Sequence, residues 1–240
     1  MKLLQLTLPT AAENIALDEA LLLDCEAAGP LAQRLRLWEP ASPLVVLGRS
    51  SDAEREVDLA ACRRDGVPVL RRASGGCTVL SAPGCLMYAV VLGYAQRPEL
   101  KAIHTAHRFV LDTLATVLAR HAPGLTRAGI SDLALAGRKV SGNSLRCQRT
   151  HLLYHGTLLY GLDLELVGHY LHMPPREPDY RSGRGHADFL AQLPMSREEL
   201  TAAVVDAFDT RETLADWPEQ RTRQLVAERY GRDEWNLRGK

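Results

Sequence analysis

The chain has 240 residues, enough for one large domain with a substantial buried core. Lys plus Arg and Asp plus Glu balance at 29 each, so no global field draws it to nucleic acid or an anionic membrane, and any cationic chemistry has to be local. The cysteines, Cys25, Cys62, Cys77, Cys85 and Cys147, form no CxxC pair; this argues against a disulfide framework or a structural zinc site and for a reducing cytoplasm.

The first residues, MKLLQLTLPT, run into a helix signal without a long apolar region or cleavage site. No stretch approaches about 18 consecutive apolar residues, so neither export nor membrane insertion is expected. Thr10-Ala11-Ala12-Glu13 has the spacing of a capping box, and Ile15, Leu17, Ala20, Leu21 and Leu22 follow it, which predicts a helix over 11–27, stopped by Gly29-Pro30. Leu35-Arg36-Leu37-Trp38 alternates like a strand, Pro40 to Pro43 turns, and Leu44 to Leu47 is a second strand; together they read as a hairpin. A short helix over about 56–65 precedes a strand Val67 to Arg71, a glycine-containing loop and a buried strand Leu86 to Leu92. Apolar residues at 103, 110, 111, 114 and 118 mark a helix that also carries His107.

Leu133 to Leu135 and Lys139-Val140 flank Ala136-Gly137-Arg138 as a hairpin, and a further strand covers about 152–160. The segment 172–188, HMPPREPDYRSGRGHAD, is rich in Pro, Gly and Arg and reads as a surface loop able to move. Ser196 to Glu199 is another capping box, opening a helix to about Phe208, and Pro218 suits the first turn of a last helix to about Tyr230. Hairpin strands mixed with helices that do not strictly alternate predict an α+β domain over 1–240.

Arg71-Arg72-Ala73-Ser74-Gly75-Gly76-Cys77 is the strongest local signal. Glycines let a backbone approach an anion closely, and arginine offers a fixed fork of donors; the plainer reading is a tight hairpin with two solvated arginines. The second signal joins Ser131-Asp132, Gly137 to Ser144 and His155-Gly156-Thr157. Lys139, beside a Ser141-Gly142-Asn143-Ser144 turn, can point into a cleft as a compact charge or lie solvated on a hairpin. Asp132 can hold a metal, orient Lys139 or end a loop, while His155 and His107 read first as hydrogen-bonded core histidines. Asn14 and Asp18 share a helix face, read first as an exposed polar stripe.

In this order and spacing the segments Asn14 to Glu19, Val46-Leu47-Gly48-Arg49, Arg71 to Gly76, Asp132, Gly137 to Gly142 and His155 to Leu159 resemble the lipoate-protein ligase A family, within the wider biotin and lipoate ligase group. The resemblance spans nearly the whole chain. It implies an α+β fold with a mixed central β-sheet flanked by helices, the class II synthetase-like catalytic domain of that group. It also implies ATP with Mg²⁺, lipoate or octanoate as substrate, and a lipoyl carrier domain (of a 2-oxoacid dehydrogenase E2 or a glycine-cleavage H-like protein) as acceptor. On that likeness Lys139 contacts the acyl carbonyl and the phosphate of an acyl-adenylate. The nucleotide and acyl contacts are then Arg71, Arg72, Ser74, Gly75, Gly76, Cys77, Asp132, Ser141, Gly142, His155, Gly156 and Thr157, with no dedicated metal ligand.

The chain departs from the family at Cys77, where a third glycine is usual, at Ser81 to Cys85, where a His-Asp pair precedes Gly-Asn, and at Ser131, where Asn is usual. Larger ligases carry a C-terminal accessory domain; none is expected here, and the resemblance then implies a separate accessory subunit, or the 172–188 loop serving as lid. The rival enzyme is an octanoyltransferase of the same fold with a cysteine nucleophile and an acyl-carrier-protein donor. The segment 124–132 has no cysteine and none follows Cys147, which reads first as an incidental thiol on a hairpin and otherwise as a substitute nucleophile. A biotin ligase is disfavoured because no glycine- and arginine-rich loop of that family's kind is present, and a non-catalytic lipoyl-domain binder is the reading from another class.

Overall fold

The computed structural model describes residues 1–210 and 212–239. After strand β1 (Lys2–Gln5), helix α1 (Ala11–Ala28) opens at Thr10, whose hydroxyl accepts from the Glu13 N–H while the Glu13 carboxylate accepts from the Thr10 N–H. The helix is apolar on almost every side. It buries Asn14, Asp18 and Glu19 along with its leucines, so these polar residues are not an exposed stripe.

Strands β2 (Arg34–Trp38) and β3 (Leu44–Leu47) do not form the expected hairpin; the turn between them carries the chain from one sheet to another. Short helices α2 (Ala53–Glu56) and α3 (Leu59–Asp65) then lead to β4 (Val69–Arg71), β5 (Val79–Ser81) and β6 (Cys85–Gly93). β3 pairs with β4 in parallel and with β5 in antiparallel fashion, making a small sheet, whereas β2 pairs with β1 and β6.

Helix α4 (Ile103–Leu118) precedes β7 (Leu125–Ala128), β8 (Asp132–Leu135), β9 (Arg138–Cys147) and β10 (His151–Leu159). Residues 141–144, expected as a turn, lie inside β9. The segment 172–188 is mostly irregular, between α5 (Glu165–Tyr170) and α6 (His186–Phe189). Helix α7 (Arg197–Ala207) has the Ser196–Glu199 capping box; β11 (Glu212–Thr213), α8 (Glu219–Leu225), which runs on as a π-helical turn over Val226–Tyr230, and α9 (Asp233–Asn236) follow.

Among the described residues the large sheet runs β11-β1-β2-β6-β10-β9-β8-β7, with parallel pairs at the β1 edge and antiparallel pairs elsewhere. Its central strand β6 is buried along its whole length, with Met87, Ala89 and Val91 facing the α1 core and Leu86, Tyr88 and Val90 facing the core beneath α4 and α7. This is the α+β architecture with a mixed central sheet flanked by helices. No helix among the described residues is long and apolar enough to cross a membrane.

Candidate active site

Alternation along β10 sends Leu152, Tyr154 and Leu158 into the α4–α7 core, leaving His155 and Thr157 on the opposite face, which lines a cleft of about 870 Å³. His107 stays on the core side, bonded through Nδ1 to the Tyr154 hydroxyl at 2.9 Å; burial pulls its pKa down, and it is a core histidine.

Lys139 reaches the cleft through an irregularity in β9. Leu133 pairs with Ser141 but Ala134 with Lys139, so β9 advances two residues against one of β8. Such a bulge resets the alternation and re-aims a side chain. Lys139 therefore crosses over Gly142, where a Cβ would come within 2.7 Å of its Cε and Nζ. Its ammonium lies 2.8 Å from Asp132 Oδ1, and the other carboxylate oxygen accepts from the Tyr180 hydroxyl at 2.8 Å. Gly156 makes similar room for Asn143, whose Oδ1 would be 1.8 Å from an added Cβ. Asn143 donates to Ser131 O at 2.8 Å and its Oδ1 accepts from the Tyr88 hydroxyl, which ties the start of β8 to β9.

The Arg71–Cys77 loop forms another wall. Arg72 is buried, and its guanidinium bonds inside its own turn: Nε to Ser74 Oγ at 3.0 Å, Nη1 to Val46 O at 3.1 Å, and Nη2 to Gly75 O and Cys77 O. Burial draws its pKa down to about 10, still charged at neutral pH. Gly76 has φ 85°, and a Cβ there would meet Arg72 Nη2 at 2.8 Å; Gly48 lets the Gly76 carbonyl sit against the end of β3. Ser74 Oγ lies 2.6 Å from His155 Nε2, and His155 Nδ1 lies 3.3 Å from Asp18 Oδ2. Asp18 Oδ1 in turn accepts from Arg36 Nη1 at 2.7 Å. A buried hydrogen-bonded chain thus runs from β2 through α1 to the loop.

Arg71 is one of four expected contacts, with Ser74, Gly75 and Ser141, that do not line the cleft. It is buried, but its guanidinium points away from the cleft, donating to Gly48 O, Arg49 O, Ser51 O and the carbonyls of Trp235, Asn236 and Arg238. Neither arginine is solvated, so the plain hairpin reading fails for both. Arg72, Gly76, Cys77, Asp132, Lys139, Gly142, His155, Gly156 and Thr157 line the cleft, while Ser74 and Gly75 stand behind its wall. Ser141 is buried beneath the strand, donating to Asn143 Oδ1 at 3.3 Å.

Beyond Lys139 the cleft opens into a second compartment of about 120 Å³, walled on one side by Val79, Leu80, Leu159, Leu162, Val167, Leu171, Phe189 and Leu190, with Glu56, His172, Arg176, Arg181 and His186 also on its lining. Lys139, Gly142, Thr157 and the 77–79 segment border both compartments. Of the cysteines, Cys77 is exposed on this border, whereas Cys25, Cys62 and Cys85 are buried. Cys147 is exposed at the other end of β9; at ~3.3 Å per residue, positions 139 and 147 stand roughly 26 Å apart. Among the described residues no group of three or more His, Cys, Asp and Glu is arranged to hold a metal ion.

Several residues that shape the site carry no local signal. Asn143 is read in sequence as part of a turn, and Tyr180 lies in a segment without periodicity. Asn14 and Asp18 are partly findable, because two polar residues on an otherwise apolar helix need a buried partner, here Arg36.

Residues 10–209 match the family model described as lipoyl protein ligase A/B catalytic domain. An octanoyltransferase LipM from Brevibacillus brevis is 28% identical, over 95% of this chain and 95% of the relative. Among solved structures, that of an archaeal bi-partite lipoate protein ligase from Thermoplasma acidophilum, described together with its E2 lipoyl domain, aligns with a TM-score of 0.83 at 23% identity, covering 98% of this chain and 95% of the other. A lipoate-protein ligase A bound with ATP aligns with a TM-score of 0.82 at 23% identity over 98% of each chain.

Proposed function

Because the chain belongs to the lipoyl protein ligase A/B catalytic-domain family, we propose that it activates lipoate or octanoate with ATP and transfers the acyl group to a lysine of a lipoyl carrier domain. The observation that carries this reading is the position of Lys139 on the border of two compartments, one of about 870 Å³ and one of about 120 Å³ with an aliphatic and aromatic wall. An adenylating enzyme has to bring an acyl carboxylate against an α-phosphate, and a single ammonium between two binding spaces can contact both anions.

The carboxylate oxygen attacks the α-phosphorus and pyrophosphate leaves, giving the mixed anhydride. Lys139 lowers the repulsion between the anions, and in the second step steadies the charge that builds on the acyl oxygen as the acceptor amine attacks and AMP departs. Arg72 holds the loop in shape rather than meeting the phosphates in this arrangement, since its donors are engaged by Val46, Ser74, Gly75 and Cys77. Magnesium would arrive on the nucleotide's phosphates, which suits a cleft where Asp132 is the carboxylate beside Lys139 and is already shared. The similar ligases described with ATP and with an E2 lipoyl domain support both the nucleotide and the acceptor.

A second reading, the octanoyltransferase, is favoured by the LipM relative and by Cys77 on the cleft border. It would take an octanoyl thioester donor and hold the acyl group on Cys77, without ATP. Cys147 does not serve it, being far from Lys139. The test is to supply octanoate, ATP, Mg²⁺ and a lipoyl domain, or instead octanoyl-acyl carrier protein alone, and to follow AMP and the masses of both proteins. Carrier acylation with AMP release supports the ligase; ATP-independent acylation with an adduct on Cys77 supports the transferase.

A further inference from the structure

We infer that Tyr180 is a positioning residue for Lys139, acting through Asp132; the inference builds on the ligase reading. Asp132 is buried and accepts two donors, Lys139 Nζ on Oδ1 and the Tyr180 hydroxyl on Oδ2, each at 2.8 Å. A carboxylate hydrogen-bonded at one oxygen is a weaker base and holds an ammonium at the other less tightly. The Tyr180 hydroxyl thus leaves Lys139 free to share its donors with an incoming acyl carboxylate. It also covers the negative oxygen that would otherwise face that anion across the cleft.

Tyr180 belongs to a segment fastened along the hairpin that carries Lys139. Arg184 Nη2 donates to Gly137 O at 3.0 Å, Arg138 Nη2 to Ala187 O at 2.8 Å, and Ala191 N to Lys139 O at 2.8 Å. The segment therefore reaches the reacting lysine twice, once through its main chain and once through the Tyr180–Asp132 bond. An unset segment would leave Asp132 gripping Lys139 with its full charge. Substrate binding and the seating of this segment are coupled through one hydroxyl.

The test measures octanoate binding by calorimetry in the unaltered protein, Tyr180→Phe, Asp132→Asn and the double variant. Phenylalanine keeps the ring packed on Phe189, 5.1 Å away, so the fold survives. Tyr180→Phe should weaken octanoate binding by about tenfold, the size expected for a hydrogen bond to a charged group. It should raise KM for octanoate while kcat stays within about threefold. With Asn at 132 there is no charge to spread, so removing the hydroxyl in that background changes the Kd by less than about twofold from that of Asp132→Asn itself. Equal losses in both backgrounds would mean that Tyr180 merely braces the segment and would overturn the inference. So would unchanged binding in Tyr180→Phe, or loss of binding in Asp132→Asn alone. Failure of octanoate to bind the unaltered protein would overturn the ligase reading first, and this inference with it.

Discussion

Lys139 and Asp132 are joined across the β8–β9 pair at 2.8 Å, and they meet because β9 gains one residue on β8 just where the lysine stands. Lys139 is partly open to the cleft while Asp132 is almost covered, with side-chain exposures of 23% and 9%. A cation so held is available to ligand while it neutralises a covered carboxylate. Lys139→Ala should lower acyl transfer by about 10²–10³-fold, the cost of losing one donor to a developing oxyanion. Unfolding free energy should fall by about 1–3 kcal/mol, because the covered Asp132 carboxylate keeps only its Tyr180 donor. Steady-state kinetics and urea unfolding on the same preparation check both.

Gly142 is required by the path of the lysine. An alanine Cβ there would overlap Lys139 Cε and Nζ at 2.7 Å, which a flexible side chain relieves by moving away. Gly142→Ala should therefore nearly match Lys139→Ala in activity while costing about 1–3 kcal/mol of stability from crowding. Gly156→Ala sets a Cβ 1.8 Å from Asn143 Oδ1 inside the sheet and should lose more. Comparing the unfolding midpoints of the two variants tests the order.

Arg36 is fully buried and satisfies Leu6 O, Asn14 O, Asn14 Oδ1 and Asp18 Oδ1. Arg36→Leu strands the Asp18 carboxylate in the core, at a cost of about 3–5 kcal/mol. Arg36→Leu combined with Asp18→Leu should recover part of that loss, because no lone charge remains. Chemical denaturation of the single and double variants decides the point.

Glu56 predicts an acid dependence. Burial pushes its carboxyl up, but bonds from the Thr78 hydroxyl and N–H, the Asp52 N–H and the Ser51 hydroxyl outweigh it and hold the pKa below the ordinary 4.5. A depressed carboxyl contributes stability that is complete above its unfolded pKa and is lost as pH falls through the folded value. The anchor at Thr78, on the cleft border, should hold at neutral pH and weaken only as pH falls below the ordinary carboxylate value of 4.5. Glu56→Gln should flatten the pH slope of unfolding free energy on the acid side of 4.5. An unaltered slope would remove Glu56 from this role.

The capping boxes at Thr10 and Ser196, the period of α4 and the hairpin leading to Lys139 are readable because their causes are local. The sheet change between β2 and β3 is not. A proline-rich turn says that the chain reverses, not which strands receive it, and the partners of β2 are β1 and β6. Strand β1 is short, and β7, with the sequence LTRA, is too polar to stand out; distant neighbours hold both. In the site, Lys139, Asp132, His155 and the glycine-rich loop are legible from order and spacing and do come together. The inward turn of Arg72, the outward turn of Arg71 and the Tyr180 bond depend on backbone carbonyls and side chains far off in sequence.

The central claim is that Lys139 stands where an acyl group and a phosphate meet. Its most direct test supplies synthetic octanoyl-AMP with a lipoyl domain, bypassing activation, and follows the carrier's mass by spectrometry. The account predicts one octanoyl group added to the carrier lysine by the unaltered protein and almost none by Lys139→Ala. No transfer from octanoyl-AMP, with acylation instead from an octanoyl thioester through Cys77, would contradict it.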